Sequence, residues 1–210
     1  MREPDNIREL VELNPDYVGL IFYPHSKRYM KGLDAAHMKS IPPTTKKTGI
    51  FVNEAMDVMA DEVIQYELDA IQLHGDETAD FCMSFRKFLH NMQTEKHVEI
   101  IKAFGISDDF DFSTLSEYED FVDYFLFDTK SAEHGGSGIT FDWSILENYK
   151  GKKPYFLSGG LSLENIHGIK DLKDTRFHGV DLNSKFETEA GIKDINRLRS
   201  AFDKIRSSSK

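Results

Sequence analysis

The chain has 210 residues, 40% of them hydrophobic, a single cysteine and a formal net charge of −10. A lone cysteine excludes an internal disulfide and a thiolate metal cluster, which fits a reducing compartment, and the acidic balance argues against a broad nucleic-acid surface, which depends on clustered Lys and Arg. The apolar runs are far too short for a transmembrane helix and the first residues are polar rather than signal-like, so the expectation is one cytoplasmic globular domain over residues 1–210 that binds neither nucleic acid nor membrane.

The chain opens on a helix, expected over 4–13: Pro4 suits a first helical turn, and Ile7, Leu10 and Val11 share one face. The three residues before it are too few for a strand. From there short runs rich in Val, Ile, Phe, Tyr and Leu alternate with longer amphipathic stretches. The pattern predicts a strand at 17–22 and a helix at 33–39, a strand at 48–52 and a helix at 55–67, then a strand at 70–73 and a helix at 78–92. It continues with a strand at 99–103 and a helix at 115–121, a strand at 124–127 and a helix at 143–148, a strand at 155–157 and a helix at 163–169, and a strand at 179–182 before a last helix at 194–206. Seven strands against eight helices fit two architectures. One is an open α/β sheet; the other is a (βα)8 TIM barrel with strand 1 missing or truncated, because such a barrel needs eight strands to close.

In either architecture ligands bind at the C-terminal ends of the parallel strands. Those ends carry His74-Gly75, Asp128-Thr129, Ser158-Gly159-Gly160 and Asp181-Leu182-Asn183-Ser184. Gly159 and Gly160 let a backbone approach a ligand, and their amides, ahead of a helix expected from Leu163, can hold a phosphate; a plain tight turn is the alternative. Asn183 and Ser184 add donors from the neighbouring loop. Alternation puts Asp128 on the face of Leu126 and Tyr124, toward the barrel mouth, where partial burial disfavours the charged carboxylate as a general acid requires. An Asp that merely caps its loop reads the same way. His74 and Asp181 fall on the same inward face, His74 as a ligand contact rather than an acid or base. Arg28, in a basic and aromatic loop, can clasp a carboxylate through its planar fork, although taken alone the loop reads better as a solvated basic one. The glycine-rich 134–138 segment reads as a loop that closes over ligand or as plain surface. Cys82 falls on the apolar face with Phe85 and Leu89, which makes it a packing residue.

Several motifs together resemble one family over nearly the whole chain: YVGLIFYPHSKRY at 17–29, IFVN at 50–53, IQLHG at 71–75, FDT at 127–129 followed by GGSGITFDW, FLSGGL at 156–161 and GVDLNSKFE at 179–187. In order and spacing they are similar to phosphoribosylanthranilate isomerase. The resemblance implies the barrel and an Amadori rearrangement without metal or cofactor, with a phosphosugar as the small-molecule partner. It assigns Asp128 as general acid, Arg28 to the anthranilate carboxylate, Gly159, Gly160, Asn183 and Ser184 to the phosphate, and His74 and Asp181 to the ribose and anthranilate region. Asn183-Ser184-Lys185 stand where many relatives carry small residues, which leaves the phosphate donors open.

In the same family the first strand ends in Cys-Gly and a hydrophobic residue, and that cysteine is the general base. Met1-Arg2-Glu3-Pro4 resembles the stretch directly after Cys-Gly, so the expectation is a chain short of one strand, with impaired turnover and unpaired edges that favour homo-oligomers. A phosphosugar-binding barrel without catalysis and a metal-dependent pentose phosphate epimerase are the alternatives; the scattered histidines do not favour the second.

Overall fold

A computed structural model describes residues 1–92, 96–129 and 142–207. It opens on α1 (Pro4–Val11), with Pro4 in the first turn and Asn6, Ile7, Leu10 and Val11 on its buried face. Seven parallel strands come next: β1 (Tyr17–Ile21), β2 (Lys46–Phe51), β3 (Ala70–Leu73), β4 (Glu99–Ile106), β5 (Tyr124–Thr129), β6 (Tyr155–Leu157) and β7 (Phe177–Val180). They are hydrogen-bonded in sequence order from β1 to β7.

The sheet is curled. The Tyr17 hydroxyl of β1 donates to Glu99 of β4 at 3.0 Å, and the Tyr17 ring meets Phe156 of β6 edge-on at 5.3 Å. Alternation then sorts the side chains into two layers, as it must where both faces of a parallel sheet are covered. Ala70, Ile101, Ala103, Leu126 and Phe156, with Tyr17 and Tyr124, form the inner cluster. Phe125, Phe127, Tyr155 and Leu157 belong to the outer core. Against that outer face pack α2 (Met56–Gln65) through Met59, Ala60 and Val63, and α3 (Ala79–Asn91) through Cys82, Phe85 and Leu89. The Thr78 side chain caps α3 by accepting from the Phe81 amide, and Asp194 caps α4 (Ile195–Arg206) by accepting from Arg197.

Four expected helices are 3-10 rather than α-helical, and only the one at 143–148 keeps its expected bounds. Residues Ala35–Ser40, Phe112–Glu117, Trp143–Asn148 and Ile166–Asp171 are 3-10 turns of six residues. Asp34, Asp111 and Asp142 each accept from the amide two residues on, closing a side-chain turn that starts i→i+3 geometry. Six residues are also too few to repay an α-helical nucleus. A short antiparallel hairpin that periodicity did not reveal, β8 (Glu187–Glu189) with β9 (Ile192–Lys193), precedes α4.

β1 and β7 face each other across a slot and are the two edges of the sheet. Among the described residues no strand lies between them, which fits the barrel reading with strand 1 missing. A cavity of about 710 Å³ runs the length of this slot, from Pro15, Asp16 and Lys46 at one end to Gly159, Gly160 and Asn183 at the other. The α-amino group of Met1 donates to the Gly19 carbonyl on the β1 edge at 2.8 Å. Burial, helped by the nearby Lys193 charge, pushes that amine down to about 5. No helix among the described residues is long and apolar enough to cross a membrane.

Candidate active site

Asp128 sits on β5 and lines the cavity, its side chain 17% exposed. Its Oδ1 accepts from the Thr129 amide at 2.8 Å, and its Oδ2 lies 3.5 Å from Nε2 of His74. Asp128 thus accepts from its own loop and at the same time lines the cavity. His74 is fixed from two sides: its amide donates to the Phe51 carbonyl at 2.8 Å, and its Nδ1 lies 2.6 Å from Nε2 of Gln72. With the Gln72 amide as donor, Nδ1 accepts and the ring proton stands on Nε2, toward Asp128.

The glycine turn reaches the same spot. Gly159 and Gly160 have φ of +86° and +62°. A Cβ on Gly159 would stand 2.3 Å from Oγ1 of Thr129 and 2.7 Å from Oδ1 of Asp128. The residue is glycine because the β5 rim occupies the space a side chain would need. Asn165 fastens the turn, donating to the Gly160 carbonyl at 3.0 Å and accepting from the Ser162 amide at 2.8 Å. The α-helix expected from Leu163 is absent, and the 3-10 turn begins only at Ile166. Any phosphate held here therefore relies on local amides rather than on a long helix dipole, because a single turn aligns few peptide units.

The β7 side completes the wall. The Asp181 amide extends the ladder to the Leu157 carbonyl at 2.9 Å, and Ser158 Oγ donates to Asp181 Oδ2 at 3.3 Å. Burial raises the Asp181 carboxyl above its ordinary value, with the Lys193 charge opposing. Asn183 and Ser184 also line the cavity. The Asn183 Oδ1 already accepts from Lys193 Nζ at 2.9 Å. Arg28 lines the cavity too, but Glu187 takes its Nε–Nη2 edge, with contacts of 2.8 to 3.0 Å. A substrate carboxylate would have to meet the other edge of the fork.

The structure thus gathers Arg28, His74, Asp128, Gly159, Gly160, Asp181, Asn183 and Ser184 around one cavity. Gln72, Ser158, Glu187 and Lys193 line it as well; sequence reasoning placed Gln72 and Ser158 at strand ends without a role and missed Glu187 and Lys193. Inward alternation on β3 points to Gln72, whereas Glu187 and Lys193 carry no local signal beyond their place in a loop. Cys82 is buried on α3 outside the sheet, where burial pushes its thiol up to about 11. The glycine-rich 134–138 segment lies outside the described residues.

The comparisons agree with this geometry. The family model described as N-(5'phosphoribosyl)anthranilate (PRA) isomerase matches residues 1–204. The N-(5'-phosphoribosyl)anthranilate isomerase of Parabacteroides distasonis is 43% identical over 209 residues, 98% of this chain and 90% of that protein. The solved phosphoribosyl anthranilate isomerase of Thermotoga maritima superposes with a TM-score of 0.85 at 32% identity, covering 99% of this chain and 96% of the other. A further solved PRA isomerase, holding reduced 1-(o-carboxyphenylamino)-1-deoxyribulose 5-phosphate, gives a TM-score of 0.81 at 30% identity over 99% of this chain and 95% of its own. With the cavity, the strand-end residues and these matches in agreement, the chain belongs to the PRA isomerase family.

Proposed function

We propose that the chain serves the Amadori rearrangement of N-(5'-phosphoribosyl)anthranilate to 1-(2-carboxyphenylamino)-1-deoxyribulose 5-phosphate in tryptophan biosynthesis. Asp128 is the general acid. It gives its proton to the furanose ring oxygen as the C1–O bond breaks, and the anthranilate nitrogen lone pair closes the Schiff base. Loss of the C2 proton then yields an enolamine that tautomerises to the ketose. Gly159, Gly160, Asn183 and Ser184 hold the phosphate, Arg28 holds the anthranilate carboxylate, and His74 and Asp181 line the ribose between them. A cytoplasmic setting suits a soluble phosphosugar substrate. The observation that carries the reading is the contact of the Gly159 turn with Asp128: a Cβ there would stand 2.7 Å from the carboxylate, so the anion-holding turn and the proton donor share one rim.

By family resemblance the proton acceptor is a cysteine at the end of the first barrel strand; the cysteine of these 210 residues, Cys82, is buried on α3 behind the sheet. The test measures the loss of substrate fluorescence for this chain and for the same chain with a β-strand ending in Cys-Gly fused before Met1. The fused form is expected to turn over and this chain to be severely slower. Asp128→Asn in the fused form is expected to lower kcat by about 10²- to 10⁴-fold, the usual worth of a positioned general acid, while the reduced product analogue still binds. Equal turnover by the two chains would put the base inside residues 1–210. Full activity of Asp128→Asn would remove the acid assignment, and analogue binding without turnover by either chain would leave a phosphosugar-binding barrel.

A further inference from the structure

Two charged side chains of the β8–β9 hairpin lie in the wall of the cavity and have no role in the chemistry above. Glu187 and Lys193 are register partners across the hairpin, and their side chains are only 4% and 10% exposed. A buried carboxylate and a buried ammonium are costly unless each is fully hydrogen-bonded. Here each is. Glu187 accepts from Arg28, from Lys193 at 3.4 Å and from the Gly191 amide at 3.2 Å. The three protons of Lys193 go to Glu187, to the Leu182 carbonyl at 3.1 Å and to Oδ1 of Asn183 at 2.9 Å.

The hairpin is itself held from behind. Asn6 of α1 clasps the Lys193 backbone through both amide atoms, at 2.9 and 2.7 Å. The Asp194 amide donates to the carbonyl of Phe186, whose side chain is fully buried. The result is a continuous chain of contacts from Arg28 through Glu187 and Lys193 to Asn183. Its ends are the residue assigned to the substrate carboxylate and a residue assigned to its phosphate.

We propose that Glu187 and Lys193 are a positioning pair that sets both ends of the substrate groove together, Glu187 orienting the Arg28 fork and Lys193 orienting the Asn183 amide. With its Oδ1 held by Lys193, Asn183 keeps its Nδ2 group as the donor it can turn to a phosphate. With its Nε–Nη2 edge held by Glu187, Arg28 offers only the remaining edge of its fork to a carboxylate. Lys193 has all three donors engaged inside the protein, so it acts on ligand through Asn183. The inference rests on the functional reading above, and the experiment separates the two.

Calorimetric binding of three probes to the full chain tests it: the reduced product analogue, anthranilate and inorganic phosphate. Glu187→Gln is expected to weaken anthranilate and the analogue by about tenfold, the worth of one charge-assisted hydrogen bond, and to leave phosphate within about twofold. Lys193→Met is expected to weaken phosphate and the analogue by a similar factor, with Lys193→Arg recovering part of the loss. Should Lys193→Met not fold because Glu187 loses a buried partner, the double variant Glu187→Gln/Lys193→Met removes both charges and replaces it. The double variant is expected to weaken the analogue by less than the product of the two single effects, as coupled groups do. Variants with a lowered Tm that bind all three probes like the wild type would overturn the proposal and leave the pair a purely structural one. A wild-type chain that takes up no analogue would overturn the functional reading, and this inference with it.

Discussion

At Gly159 the backbone stands at φ +86°, in the left-handed region, and the β5 rim fills the position of a side chain. Alanine there meets two costs. The left-handed conformation costs an L-residue about 1–2 kcal/mol, and the methyl group must displace Asp128 or Thr129, whose atoms would otherwise lie within 2.7 Å. Moving a proton donor by an ångström costs up to about 10²-fold in rate. Gly159→Ala is thus expected to lower both Tm and kcat in the active fused form, with kcat down by about 10- to 100-fold; unchanged kcat with a lowered Tm would separate the turn from the acid. Asp181 behaves in the opposite sense. Burial raises its carboxyl above the ordinary value, Lys193 opposing, so the folded chain holds that proton more tightly than the unfolded chain does. Folding is then penalised increasingly as pH rises from about 3.9, the unfolded value, through the raised folded one. Asp181→Asn removes the penalty: it should raise Tm at pH 7 by a few degrees, with the gain shrinking as the pH is lowered toward 4. Turnover of the fused form should fall at the same time, because the proposed reading sets this cavity-lining residue against the ribose. A stabilisation independent of pH would contradict the buried-charge account.

The elements show which parts of this fold a sequence can specify. β3 and β6 match their expected bounds because runs such as AIQL and YFL are buried on both faces, so hydrophobicity alone marks them. The alternation on β5 put Tyr124, Leu126 and Asp128 together, and all three line the cavity. That alternation set Asp128 at the cavity without coordinates, as the alternation of β3 did for His74. The long helices α3 and α4 were legible for a similar reason, since three or four turns of apolar spacing and a Thr or Asp cap leave little ambiguity. The four 3-10 turns were not, because over six residues an i+3 period cannot be told from an i+3/i+4 one. The hairpin was least visible of all. Its strand Glu187–Glu189 reads ETE, with no apolar face, and the contacts of Glu187 and Lys193 with Arg28 and Asn6 span the chain from end to end. Buried charges whose partners are remote leave no local signature, so two residues of the cavity wall came only from the structure.

For the molecule as a whole the open slot has a consequence for association. A closed barrel removes its sheet edges, whereas β1 and β7 here keep theirs, and an unpaired strand edge is a template for another chain. Opposing this is the formal net charge of −10, which makes like molecules repel. The balance is set by salt, since the Debye length falls from about 30 Å at 0.01 M to about 8 Å at 0.15 M and screens the repulsion while leaving backbone pairing untouched. We therefore propose homo-oligomers through these edges and expect the average mass of this chain, by light scattering, to rise with protein concentration and to rise further with salt. The chain with a β-strand fused before Met1 should show less of both and a higher Tm, because the added strand takes up hydrogen-bonding groups that otherwise meet a neighbour or water. If the two chains scatter alike at every salt concentration and unfold at the same temperature, the slot neither drives association nor receives the added strand. If the fused chain is more stable yet associates as before, the interface lies on another face of the molecule.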